Sequence, residues 1–225
     1  MKILSFLIKF IFSGSIFKLL TRDGYPGVFN DKKCLFIHVP KAAGSSVCME
    51  LFGYQTGHKS YFRYWLDSPA KADSYFKFAF VRNPYDRLVS AYHFLKAGGM
   101  DQRDKTWAED NLSEFDSFED FVKKWVTPSN IAKKNHFQTQ LSFLCAPRSK
   151  IPKVDFIGRI ENFNDDMNIV RARLGLALGE TVHVNQSARK DYRSYYTDEM
   201  LSIVRRVYAD DIEILGYDIQ SKRKL

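Results

Sequence analysis

Cysteine is scarce and irregularly placed in this chain of 225 residues: Cys34, Cys48 and Cys145 are odd in number and none falls in a CxxC pair. That argues against a disulfide framework and against a cysteine-ligated zinc site, and for reduced thiols in a cytosol. Long uncharged runs are missing too. The first twenty residues, MKILSFLIKFIFSGSIFKLL, are apolar, yet Lys9 interrupts them and no stretch reaches the ~18 uncharged residues of a spanning helix. No A-x-A-like cleavage site follows, so a secretory signal is not indicated. Lys2, Ser5, Lys9 and Ser13 share one helical face, which leaves residues 1–22 as a helix packed on the domain or lying on a membrane surface, with a signal anchor as a poorer third reading. There are no internal repeats, no low-complexity segment and no evident ligand set for a metal.

What is present is a basic chain with a large apolar fraction. The formal charge of +8 implies an anionic partner, although its sign does not separate nucleic acid, an acidic membrane and a polyanionic cofactor. With 45% hydrophobic and 15% aromatic residues the chain is long enough for one well-packed domain and short for two. A turn cluster at 23–27 (DGYPG) marks the expected domain start, the domain runs over 23–219, and the basic tail 220–225 is expected to be disordered.

Residues 34–52, CLFIHVPKAAGSSVCMELF, organise the reading. The apolar β-formers of 34–39 predict a strand buried on both faces, which Pro40 ends. Ala42, Ala43 and Gly44 let a backbone approach a ligand, while Ser45 and Ser46 sit where N-cap hydroxyls and unpaired helix N–H groups would meet an anion. Lys41 adds a positive charge. The Walker loop GxxxxGK[ST] sets its Lys after the second Gly, whereas Lys41 precedes Gly44, so the nucleotide triphosphatase pattern is not matched. On turn chemistry alone, a phosphate-gripping loop and a tight strand-to-helix turn with a solvated Lys are both open.

A second strand, 77–81 (KFAFV), runs into Arg82-Asn83-Pro84-Tyr85-Asp86. Asn83 is expected to cap the next helix, Pro84 to take its first position and Asp86 to favour its first turn. Leu88, Ala91, Tyr92 and Leu95 then line one face until Gly98-Gly99 stops the helix. Arg82 thus stands at the carboxyl end of a strand, with Ser90 two turns into the helix, at the ligand edge of a parallel sheet.

HVPKAAGSS followed by FAFVRNPYDRLVSAYHF resembles the two cofactor motifs of the sulfotransferase 2-like family, the Golgi-type carbohydrate sulfotransferases and their bacterial relatives. VDFIGRIENFNDDM and the segment 195–219 resemble the later parts of that family. The resemblance implies a three-layer α/β/α domain around a mostly parallel sheet, similar to the nucleotide-kinase-like fold. Alternating apolar runs and helical patterns support the α/β class independently. It also implies transfer of a sulfuryl group from 3′-phosphoadenosine 5′-phosphosulfate (PAPS) to a hydroxyl, on a sugar by preference, without a metal. The loop of Lys41 to Ser46 would hold the 5′-phosphosulfate, and Arg82 with Ser90 the 3′-phosphate.

Gly57-His58-Lys59-Ser60-Tyr61 resembles the GHxSY segment in which family members place a proposed general base, and an imidazole with an ordinary pKa of about 6.5 suits that work. His136, in Asn135-His136-Phe137-Gln138-Thr139-Gln140, is the second candidate; a surface or satisfied core histidine is the competing reading for each. The loop 183–190, with Ser187, Arg189 and Lys190, resembles a segment that closes over the cofactor, or is simply solvated. Arg159 and Glu161 read as an ion pair or rim. Tyr61, Tyr64 and Trp65 read either as stacking surface for a sugar or as core.

Elsewhere 53–70 is expected to be irregular and 100–116 to be a loop bordering the acceptor site. Ser117 should cap a helix that Pro128 ends, Asn164 a helix that stops before Gly175, and Thr197 the last long helix. The family implication favours a cytoplasmic enzyme of bacterial type, in peripheral membrane contact if residues 1–20 lie on a bilayer, with a Golgi-type anchor as the alternative. Two rival functions remain: a phosphotransferase or nucleotide hydrolase on a similar scaffold, and a non-catalytic basic module for nucleic acid or an anionic membrane. The placing of Lys41 and Arg82 at strand ends speaks against the second, and no nucleic-acid partner is expected.

Overall fold

The computed structural model describes residues 24–180 and 190–219. The expectations for residues 1–22, for Ser187 and Arg189 and for the tail 220–225 lie outside the described residues.

Pro26 leads into helix α1 (Gly27–Lys32), and strand β1 (Cys34–Ile37) follows with all four residues buried. The strand is two residues shorter than its apolar run, because Val39 N–H turns back onto the Ile37 carbonyl at 3.1 Å and leaves the ladder. After the loop comes α2 (Gly44–Phe52). Residues 53–70 are not irregular throughout. They hold α3 (Tyr61–Asp67), which buries Tyr61 and Tyr64 and is capped by the Ser60 hydroxyl, and Pro69 opens α4 (Pro69–Ser74). The i,i+3 pair of tyrosines supplies the buried stripe, which Phe62, Trp65 and Leu66 off that stripe obscure in the sequence. Tyr61 and Tyr64 are therefore core, while Trp65 stacks on Phe62 at 5.9 Å.

Strand β2 (Phe76–Val81) leads into α5 (Pro84–Lys96). Here the start signals act as read: the Asn83 side chain accepts from Tyr85 N–H and Pro84 takes the first turn. The stretch after Gly99 is a helix, α6 (Gln102–Leu112), rather than a loop. Asp101 caps it by accepting from Asp104 N–H at 3.0 Å, and Ala108 and Leu112, an i,i+4 pair, face the core. Ser117 caps α7 (Phe118–Lys124) as expected, but Pro128 opens a short helix, α8 (Pro128–Ile131), under a Thr127 cap. Then come α9 (Leu141–Leu144) and β3 (Phe156–Arg159). A 3-10 turn, Ile160–Asn162, precedes α10 (Phe163–Arg173), so Asn164 lies inside the helix and not at its cap. Thr197 caps α11 (Asp198–Val207), whose Met200, Val204 and Val207 are buried, and α12 (Ala209–Ile214) follows.

The three strands form one parallel sheet in the order β1-β2-β3, flanked by helices, as an α/β fold requires. Ile37 pairs with Ala79 and Val81 with Arg159, so the carboxyl ends of β1 and β2 emerge side by side. One apolar cluster packs the sheet against α2, α3 and α10; a second joins α5, α6, α7 and α11 around Phe121 and Phe137. The site sits at the sheet edge, where these two clusters meet.

Candidate active site

The loop between β1 and α2 is built from left-handed residues. Lys41 has φ 65° and Ala43 φ 59°, and Ala43 rather than a serine occupies the N-cap, with no side-chain hydrogen bond. Ser45 and Ser46 thus lie inside the first turn and not at the cap. The N–H groups of Ala42, Ala43, Gly44 and Ser45 have no hydrogen-bond acceptor among the described residues. Successive donors beside a left-handed turn make a concave nest for an anion. Gly44 has a further reason to be glycine: a Cβ there would come 2.0 Å from the His38 imidazole.

Around the nest stand three cations, each held differently. The Lys41 Nζ lies 3.6 Å from the centroid of the Phe94 ring on α5. Arg82 donates from Nε to Asp86 at 2.7 Å and from a terminal nitrogen to the Lys41 carbonyl at 3.4 Å. The backbone of Arg82 is gripped by the Gln140 amide, which accepts from its N–H at 2.9 Å and donates to its carbonyl at 2.7 Å. Ser90 is half-buried on α5. Arg87 is buried, and donates to the carbonyls of Pro40 at 2.8 Å, Gln138 at 2.7 Å and Asn135 at 3.5 Å.

Both histidines named from the sequence reach this edge, and a third joins them. The His58 ring lies 4.1 Å from His38 and 6.1 Å from His136, centroid to centroid. His58 Nδ1 is 3.1 Å from the His38 carbonyl oxygen. A carbonyl can only accept, so this bond puts the proton on Nδ1 and leaves Nε2 as the accepting nitrogen. Burial lowers the His58 pKa from its ordinary value, with Arg87 and Lys41 adding to the effect and Asp104 and the His38 carbonyl opposing it. His58 as a whole residue is nonetheless exposed, unlike His38 and His136. His136 is more enclosed: burial pushes its pKa down to about 3, and its Nδ1 is buried without a hydrogen-bond partner. Its ring packs on Phe94 at 5.2 Å.

His58 opens on a cleft of about 400 Å³ lined by Lys59, Ser60, Arg63, Asn135, Gln138, Ser142 and Phe143. His136 does not line it. Lys134, next to the cleft wall, pairs with Asp104 of α6 at 2.7 Å, which is how the unexpected helix comes to border the site. Arg159 and Glu161 do not pair with each other. Arg159 donates to the Leu215 carbonyl and stacks on Tyr217, whereas buried Glu161 accepts from Asn83 N–H at 2.7 Å and from the Tyr217 hydroxyl at 2.9 Å. Glu161 is thus scaffold at Asn83, where β2 ends, and Arg159 packs on the Tyr217 that bonds Glu161. Lys190, the described member of the loop 183–190, is exposed.

His38 and Arg87 were not singled out from the sequence. The hydrogen bonds that tie them to His58, Pro40, Asn135 and Gln138 span 20 to 51 residues, so no local pattern marks them. No group of histidine, cysteine and carboxylate side chains suited to a metal ion occurs among the described residues, and none of their helices is long and apolar enough to cross a membrane.

The parallel sheet thus carries a donor-rich nest at its ligand edge and an imidazole in the adjoining cleft, an arrangement chemically suited to an anion with a proton acceptor beside it. The chain belongs to the Sulfotransferase family, whose model matches residues 28–218. It is 26% identical over 177 residues to carbohydrate sulfotransferase 11 of Rattus norvegicus and equally to that of Mus musculus, covering 68% of this chain and 49% of theirs. An uncharacterized protein of Archaeoglobus fulgidus is 32% identical over 127 residues, 54% of this chain and 85% of its own length. The chain spans about half the length of the rat and mouse relatives. No solved structure matches it at a significant level.

Proposed function

We propose that this protein transfers a sulfuryl group from PAPS to a hydroxyl acceptor, a carbohydrate by preference. The observation that carries the reading is the row of four N–H groups without acceptors beside Lys41, next to a cleft into which a histidine opens. That donor set fits an anionic group such as a phosphosulfate, and the donor molecule supplies an activated sulfuryl group on a phosphate leaving group. Ala42 to Ser45 bind oxygens through their N–H groups. Lys41 donates to the oxygen on which charge grows, from a position its contact with Phe94 prepares. Arg82, steadied by Asp86, and Ser90 serve the 3′-phosphate. His58 is the general base: its Nδ1 proton is engaged with the His38 carbonyl, so Nε2 receives the acceptor proton. His136, off the cleft and more enclosed, is the second choice for that role. The acceptor occupies the cleft walled by Asn135 and Gln138.

The test is transfer of labelled sulfate from PAPS to fractionated cell extract, paired with a thermal-shift panel of adenosine 3′,5′-bisphosphate (PAP), ATP with magnesium, and single-stranded DNA. PAP at 100-fold over its dissociation constant should add roughly 2.7 kcal/mol. Stabilisation by ATP with magnesium alone would move the reading to phosphoryl transfer, and by DNA alone to a binding module.

A further inference from the structure

Five contacts converge on His38, a residue whose side chain the proposed chemistry does not itself use. It follows β1 and is buried, its ring stacks on Phe36, and its Nδ1 lies 3.8 Å from the Cys48 sulfur on α2. Its Cδ2 and Nε2 occupy the space that a side chain at residue 44 would take. Its carbonyl accepts from His58, and its ring stands edge-on to the His58 ring at 4.1 Å. The main chain and the side chain of one residue therefore both bear on the same imidazole. Cys48 in turn lies 3.2 Å from the Thr56 hydroxyl, two residues before His58, so the start of the 56–58 turn is tied to the same helix.

We infer that His38 is a positioning residue that holds His58 in one tautomer and one orientation, with Nε2 as the proton acceptor, and that Gly44 is glycine in order to admit the ring that does this. The consequence for rate rests on the sulfuryl-transfer reading; the consequence for the tautomer does not. A backbone carbonyl alone fixes the protonated nitrogen only while the bond is made, and without the His38 ring the imidazole can swing out of it and exchange tautomers. The His38 ring removes that freedom, and its own burial, which pushes its pKa down to about 3, keeps it neutral beside a base that must stay neutral. The groups facing His58 are His38 just after β1, Lys41 from the loop, Arg87 from α5, Asp104 from α6 and His136. A swing of about 1 Å at a reacting group can cost ~10²-fold in rate.

The experiment is long-range proton–nitrogen correlation on protein labelled with ¹⁵N-histidine, with His58 assigned from a His58→Gln variant. Wild type is expected to show Nδ1 protonated and Nε2 bare at neutral pH. In His38→Ala the two nitrogens should move toward averaged shifts as both tautomers populate. In His38→Phe, which keeps a flat ring in the same space, the wild-type pattern should return. Turnover with PAPS should fall ~10²-fold in His38→Ala, while the PAP dissociation constant stays within about twofold. A wild-type spectrum with the proton on Nε2 overturns the inference, and so does an unchanged His58 pattern in a folded His38→Ala. Should His38→Ala not fold, an averaged pattern in His38→Phe overturns it. Failure of PAP to bind overturns the functional reading and leaves the tautomer result standing.

Discussion

A guanidinium with 2% of its surface exposed needs acceptors, and Arg87 finds three backbone carbonyls across two segments of chain. Pro40 belongs to the nest, and Asn135 and Gln138 belong to the cleft wall, so one side chain spaces the anion site from the acceptor site. Arg87→Met should cost on the order of 3 kcal/mol in urea unfolding, because the carbonyls are left unpaired at a buried position. A loss under about 1 kcal/mol would mean that water replaces the guanidinium. Lys41 differs, since its ammonium lies over the aromatic face of Phe94. Lys41→Ala should lower turnover by ~10²–10³ while weakening PAP binding far less. Affinity collapsing while turnover at saturation held would make Lys41 a ground-state clamp.

Among the elements, α2 depends most on a single atom's absence. Gly44→Ala sets a methyl into the His38 ring, and overpacking of this kind costs about 1–3 kcal/mol. Denaturant midpoints of the two proteins give the value, and an unchanged midpoint would show that the ring can retreat. The elements legible beforehand were those with a clean pattern: β1 and β2 as apolar runs, and α5, α7 and α11 through their caps, with a stripe as well in α5. Helices α3 and α6 were obscured because their buried faces are narrow, a pair of tyrosines in one, set among further apolar residues that are not buried, and Ala108 with Leu112 in the other, inside an otherwise polar segment. Their caps, Ser60 and Asp101, were present to be read. In the site, Lys41, His58 and His136 were legible as motif members and they do gather at one edge. His38 and Arg87 were not, since their meaning comes from contacts that only the closed sheet brings about.

At the scale of the molecule, the buried ionisable groups predict how stability follows pH. Burial takes His38 and His136 from 6.5 to about 3, so each binds a proton less readily folded than unfolded. Their contribution is full above pH 6.5 and is lost as pH falls from 6.5 toward 3. Asp211 acts in the opposite sense. Burial raises it from 3.8 to about 6, against the N–H groups of Leu141 and Gln140, so it favours the folded chain as pH drops through 6. Two histidines moving further than one aspartate should win, although Glu161, also raised by burial, adds to the aspartate's side. The melting temperature is therefore expected to fall from pH 7 to pH 5 in calorimetry, and an equal or higher value at pH 5 would show the carboxyls prevailing.

The nest carries a last consequence, for the exchange of amide hydrogens with solvent. Amides at 42–45 have no acceptor among the described residues, so in the free protein they should lose their protons early, although strand β1 a few residues before them is wholly buried. An anion seated in the loop would occupy all four at once. Deuterium uptake over this tetrapeptide, followed with and without PAP, would then report occupancy directly, with no acceptor substrate needed, and undiminished uptake at saturating PAP would place the phosphate elsewhere.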